Sequence, residues 1–130
     1  MDDNKYKILV VEDEYIVAAD IKMTLKRLNY FVTSTVDNGE DAITKAALEK
    51  PDLILMDITL KGSLDGIETA KMIMEQYGIP VIYLSALNDE RTINRALSTK
   101  PFGYLIKPFA LVELQTVIKS ALTKSHAYYI

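Results

Sequence analysis

Five residues suited to charge-driven chemistry stand at the ends of short apolar runs. Glu12 and Asp13 follow Ile8-Leu9-Val10-Val11, Asp57 follows Leu53-Ile54-Leu55-Met56, Ser85 follows Val81-Ile82-Tyr83-Leu84, and Lys107 follows Tyr104-Leu105-Ile106. Brought together, three carboxylates repel one another: at ~5 Å and an effective dielectric of about 20, each pair costs roughly 3 kcal/mol. A single ammonium offsets only part of that, and a divalent cation offsets more. An oxygen-only set without histidine or cysteine selects a hard ion, Mg²⁺ first and Mn²⁺ as the alternative. Mg²⁺ takes a few carboxylates plus water and substrate phosphate. The chemistry that suits such a set is phosphoryl transfer, where the protein positions groups and neutralises charge.

Whether these residues meet depends on the elements that carry them. The run before Asp57 reads as a strand buried on both faces, and Ile8 to Val11 reads the same way. Val17, Ile21, Leu25 and Leu28 form one helical stripe, and Phe31 to Val36 is a β-branched second strand. Asp37-Asn38-Gly39 is a turn, after which Ala42, Ile43, Ala46 and Ala47 mark a helix closed by Pro51. A polar loop from Thr59 to Asp65 leads to a third stripe, Ile67, Ala70, Met74 and Tyr77, stopped by Gly78. Pro80 opens the fourth strand, a position where proline is tolerated. Asn88 or Asp89 can cap a short helix bearing Ile93, Ala96 and Leu97. The fifth strand is Tyr104 to Ile106, and the last helix shows Leu111, Leu114, Ile118 and Ala121 on one face. Periodicity ends at Thr123, giving a domain over 1–123 and a short tail over 124–130.

Five strand-then-helix units in regular alternation predict an α/β fold: a doubly wound (βα)5 arrangement with a five-stranded parallel sheet. Right-handed crossovers leave few topologies, and the flavodoxin-like strand order 2-1-3-4-5 is the one expected. In that sheet every strand ends at one edge, so Glu12, Asp13, Asp57, Ser85 and Lys107 converge there. The opposite edge offers only Lys7, Asp52 and Pro80 as nearest candidates.

The bulk properties narrow the classes further. The chain has 130 residues, 49% hydrophobic and 25% charged, enough for one domain with its own core. Absence of cysteine excludes disulfides, thiolate metal sites and thiol catalysis. A net charge of −3 gives no electrostatic reason to expect nucleic-acid or anionic-membrane binding. The acidic start and the lack of a long apolar run lead us to expect a cytoplasmic protein without membrane insertion. A dinucleotide site is disfavoured because no Gly-x-Gly-x-x-Gly follows the first strand. Flavin is disfavoured because Glu12-Asp13 would repel a phosphate there.

At this point the chain resembles a two-component response-regulator receiver domain over nearly its whole length. Glu12-Asp13, Met56-Asp57, Asp65-Gly66, Ser85-Ala86 and Lys107-Pro108-Phe109 fall in that family's order and spacing. The resemblance implies that Asp57 takes a phosphoryl group from a phosphohistidine on a sensor histidine kinase or phosphotransfer protein. It implies that Glu12, Asp13, Asp57 and the Thr59 backbone carbonyl hold Mg²⁺, and that Ser85 and Lys107 hold phosphoryl oxygens. Tyr104 matches the switch aromatic, which turns inward as Ser85 moves. Lys107-Pro108 matches a bond often cis in the family. Phosphorylation would then alter the face of helix four, strand five and helix five toward an unknown downstream protein, with a phosphorylation-dependent homodimer among the outcomes. Such a module modifies itself rather than turning over a separate substrate.

The chain also departs from the pattern. Leu60-Lys61-Gly62-Ser63-Leu64 replaces a shorter, proline-containing loop, so a longer and more mobile loop is expected. Lys100-Pro101-Phe102 stands where a small-residue turn is usual. Thr59 and Leu87 lie where the family tunes hydrolysis, and neither carries an acid or amide able to orient an attacking water, so slow autodephosphorylation is expected. His126, the lone histidine, falls in the tail and is not expected to take part. Two other readings compete: a Mg²⁺-dependent phosphatase acting on small phosphoesters through Asp57, and an unphosphorylated adaptor. The first lacks a substrate-binding cap, and the full set of five residues argues against the second.

Overall fold

Strand and helix alternate without exception in the computed structural model, which describes residues 5–86 and 89–128, with side chains to residue 125. The strands are β1 (Lys7–Val11), β2 (Phe31–Val36), β3 (Leu53–Asp57), β4 (Val81–Ser85) and β5 (Gly103–Ile106). The helices are α1 (Tyr15–Arg27), α2 (Gly39–Glu49), α3 (Gly66–Tyr77), α4 (Glu90–Ser98) and α5 (Leu111–Tyr128). All pairings are parallel and the order is β2-β1-β3-β4-β5. The expected flavodoxin-like (βα)5 architecture is the one observed.

Alternation along the strands splits the core into two layers. Leu9, Val11, Ile54, Met56, Val81 and Tyr83 pack with Ala42, Ala46, Ile67, Ala70, Ile73 and Ala96 from α2, α3 and α4. Ile8, Val10, Leu53, Leu55, Ile82 and Leu84 face Ile21, Leu25, Leu114, Ile118 and Ala121 from α1 and α5. The central strand β3 is buried at every residue, Asp57 included. β2 is an edge strand, and its register slips by one between Ile8 and Leu9, leaving Thr33 as the extra residue.

Three helical stripes differ from the sequence expectation. In α3 the buried set is Ile67, Thr69, Ala70 and Ile73, while Tyr77 is exposed. The reason is that α3 meets two surfaces, the sheet and α2. Gly39 opens α2 against Thr69, where a Cβ would lie 2.2 Å from the Thr69 hydroxyl. In α4 only Ala96 is buried, and Leu97 is exposed; in α5 Leu111 is exposed while Leu122 joins the core. α5 also continues to Tyr128, five residues past the end of the apolar period at Thr123. Periodicity reports which residues face the core, not where a helix must stop, and Lys124-Ser125-His126-Ala127-Tyr128 contains no breaker.

Caps set the helix starts. Asn38 accepts from the Asp41 N–H, Asp89 from the Arg91 N–H, and Asp65 forms a reciprocal capping box with Glu68. Of the two expected caps for α4, Asp89 is the one used; Asn88 lies outside the described residues. Gly78 ends α3 in the left-handed region at φ 67°, as its position predicts.

Candidate functional site

Backbone hydrogen bonds continue past the strand ends and fix the residues that follow them. The Glu12 N–H donates to the Val36 carbonyl at 2.9 Å, Ile58 to Leu84 at 3.0 Å, and Lys107 to Ser85 at 2.8 Å. Glu12, Asp57, Ser85 and Lys107 therefore sit one step beyond, or at the end of, adjacent strands at a single edge.

The side chains meet as the charge argument requires. Carboxylate oxygens of Glu12, Asp13 and Asp57 all lie within 4.8 Å of one another. Lys107 Nζ donates to Glu12 Oε1 at 2.5 Å and lies 3.5 Å from Asp57 Oδ2. Glu12 and Asp57 are both 2% exposed, so these charges are held out of water. Burial and the neighbouring Asp57 push the Glu12 carboxyl up to about 7, despite the opposing pull of Lys107. Burial works against the Lys107 ammonium as well, but its bond to Glu12 and the field of Asp57 outweigh it and raise the group. One lysine thus leaves the acids under-compensated, and the remaining donor set is hard oxygen. These are the terms on which a divalent cation fits.

Asp57 is oriented by the residue two positions on. Its Oδ1 accepts both the Thr59 N–H at 3.0 Å and the Thr59 hydroxyl at 3.1 Å. The spacing does not predict this second bond, because nothing in it tells a hydroxyl which way to turn. Glu12 Oε2 accepts the Glu14 N–H at 3.1 Å, which fixes the other end of that carboxylate before α1 begins. A cleft of about 320 Å³ opens beside the acids, lined by Glu12, Asp13, Tyr15, Thr35, Asp37 and Asp41.

Gly66 has a positional reason. A Cβ there would stand 1.9 Å from the Asp57 carbonyl oxygen and 2.8 Å from the Ile58 Cα, so only glycine lets α3 begin so close to β3. The Gly66 N–H donates to the Ile58 carbonyl at 3.0 Å. The long loop between is anchored: Leu60 is buried, Ser63 donates to Glu40 Oε1 at 2.7 Å, and Asp65 pairs with Arg95 at 2.8 Å.

Ser85 is fully buried at the end of β4. Tyr104 is half-buried, its ring edge-on to Tyr83 at 6.4 Å, and its hydroxyl is buried with no hydrogen-bond partner among the described residues. The ring already lies inward. Lys107-Pro108 is cis. At the opposite edge, Asp52 Oδ2 is taken up by the Lys7 N–H at 2.7 Å. Leu87 lies outside the described residues, as does the side chain of His126.

A family model described as "Response regulator receiver domain" matches residues 8–119. Among solved structures, the signal receiver domain of a modulated diguanylate cyclase from Desulfovibrio desulfuricans G20 is 38% identical with a TM-score of 0.91; the match covers 95% of this chain and 98% of that one. The receiver domain of sensor histidine kinase PA1611 from Pseudomonas aeruginosa PAO1, with a magnesium ion coordinated in its active site cleft, is 32% identical at a TM-score of 0.83, covering 92% and 98%. The alkaline phosphatase synthesis transcriptional regulatory protein PhoP of Bacillus subtilis is 38% identical over 120 residues, 92% of this chain and 49% of that protein. The chain spans about half the length of the curated relatives it matches. No helix among the described residues is long and apolar enough to cross a membrane.

Proposed function

Because this chain belongs to the response regulator receiver domain family, whose general function is phosphorylation-dependent two-component signalling, we propose that Asp57 is its phosphoacceptor. The observation that carries this is a buried carboxylate held by Thr59 on one oxygen, facing Lys107 on the other, with Glu12 and Asp13 within 4.8 Å. A carboxylate oxygen of Asp57 attacks phosphorus, the P–N bond to the donor histidine breaks, and the imidazole leaves with the electron pair of that bond. Receiver domains interact with histidine kinases or phosphotransfer proteins, and one of these is the donor here.

Receiver domains bind Mg²⁺ at an acidic pocket. Glu12, Asp13 and Asp57, with the Thr59 carbonyl, would hold it here, Mn²⁺ serving as a substitute. When bound, the ion supplies positive charge against the phosphoryl oxygens. Lys107 moves between partners: its ammonium turns from Glu12 toward a phosphoryl oxygen, and the Ser85 hydroxyl donates to another. Tyr104 follows Ser85, and the face built by α4, β5 and α5 changes for a downstream protein or a second copy of the chain. Tyr104 lies inward already, so phosphorylation would fix a position the ring visits rather than create one.

The test is mass spectrometry after incubation with acetyl phosphate and Mg²⁺. Wild type is expected to gain one phosphoryl group and Asp57→Asn none. Labelling of Asp57→Asn to the wild-type extent would reject the assignment.

A further inference from the structure

Of the nine residues of α4 only Ala96 is buried, whereas α1, α2 and α3 each bury three or more. Polar fixtures supply what its apolar face lacks. At its C-terminal end the Thr99 hydroxyl stands 2.7 Å from the phenol oxygen of Tyr83, a fully buried β4 residue. One turn earlier, Arg95 Nη1 donates to Asp65 Oδ2 at 2.8 Å.

Asp65 is itself tied into the loop after β3. Its Oδ1 accepts the Glu68 N–H at 2.8 Å, its own N–H reaches Glu68 Oε1 at 3.0 Å, and its carbonyl accepts the Thr69 hydroxyl at 2.7 Å. The next residue, Gly66, bonds through its N–H to the Ile58 carbonyl, and Ile58 follows Asp57 directly. Arg95 thus reaches, through a short chain of hydrogen-bonded residues, the segment carrying Asp57 and Thr59.

We infer that Arg95 is a positioning residue for the chemistry at Asp57: paired with Asp65, it latches α4 to the loop that follows the phosphoacceptor, so that release of α4 and change at Asp57 are linked. This rests on the reading of Asp57 given above. A pair that must open before α4 departs holds down the population of the released state, so labelling that proceeds from that state is slowed by the same factor. For a pair this exposed the factor is about two- to fivefold.

The experiment compares the full chain with Arg95→Gln, Arg95→Lys, Asp65→Asn and the Arg95→Gln/Asp65→Asn double variant. Asparagine is as good a helix cap as aspartate, so Asp65→Asn removes the ion pair and keeps the start of α3. Two quantities are read: the initial rate of labelling by acetyl phosphate, and hydrogen exchange of α4 amides in the unphosphorylated protein. Both single variants are expected to label about two- to fivefold faster and to exchange faster across α4. The double variant should match either single, and Arg95→Lys should lie nearer wild type. Additive effects in the double variant, or single variants that match wild type in α4 exchange, would overturn the latch. If the wild type takes no label, the phosphoacceptor reading fails, and the exchange data alone decide whether the latch exists.

Discussion

Glu12 is the residue at which solution conditions act most directly. Its carboxyl, with a usual value of 4.5, is lifted to about 7 by burial and Asp57. Between those values the folded protein holds a proton that the unfolded chain has released, so stability falls as pH rises across that window. The loss amounts to at most about 3 kcal/mol, from 1.36 kcal/mol per pH unit of displacement. With chelator present, the melting temperature is therefore expected to drop between pH 5 and 7.5, and Glu12→Gln should flatten that slope. Mg²⁺ should raise the melting temperature more at pH 7.5 than at pH 5. Asp13→Asn relieves repulsion without touching Lys107; it should stabilise the metal-free protein by about 0.5–1 kcal/mol and shrink the Mg²⁺ shift. Thermal melts with and without the ion check both. Thr59 holds Asp57 through donors and offers no group to activate a water. The labelled protein is accordingly expected to keep its phosphoryl group for minutes or longer, which loss of label from the isolated phosphoprotein measures.

Among the elements, the approach of α3 to β3 is the least forgiving. Gly66→Ala would drive a methyl group into the Asp57 carbonyl, against backbone that cannot step aside. We expect a loss of about 3 kcal/mol or more, read by urea denaturation, with slower labelling of Asp57 in whatever remains folded. Elements also show why some of the fold was legible and some was not. β3 declared itself because a strand covered on both faces needs unbroken apolar residues, and Leu53 to Met56 supply them. The period of α3 points to Tyr77 where the structure buries Ile73, because the sequence cannot say that a second helix presses on its side through Gly39 and Thr69. The end of α5 is not legible either, because no apolar period continues past Thr123 and no breaker follows it. The positions of Glu12, Asp57, Ser85 and Lys107 followed from strand ends alone. Which acid Lys107 would favour, and that the Thr59 hydroxyl would hold Asp57, depended on rotamers that no spacing encodes.

At the scale of the whole molecule, the sheet order gathers every strand's carboxyl end at one rim, and among the described residues the other rim carries no comparable set. The acids come from the central strands β1 and β3, and Ser85 and Lys107 from β4 and the loop beyond β5. Because the two core layers share this sheet, unfolding should be a single cooperative transition, and ion binding at one rim should shift all of it. Coincident far-ultraviolet and tyrosine-fluorescence melts, both displaced upward by Mg²⁺, are the expected result. The placement also has a consequence for a chain growing from its N-terminus. The three negative groups are complete by residue 57, while the lysine that offsets part of their charge arrives fifty positions later. Until then the acids lack even that ammonium, so charge adds to apolar contact in favouring the docking of the last strand.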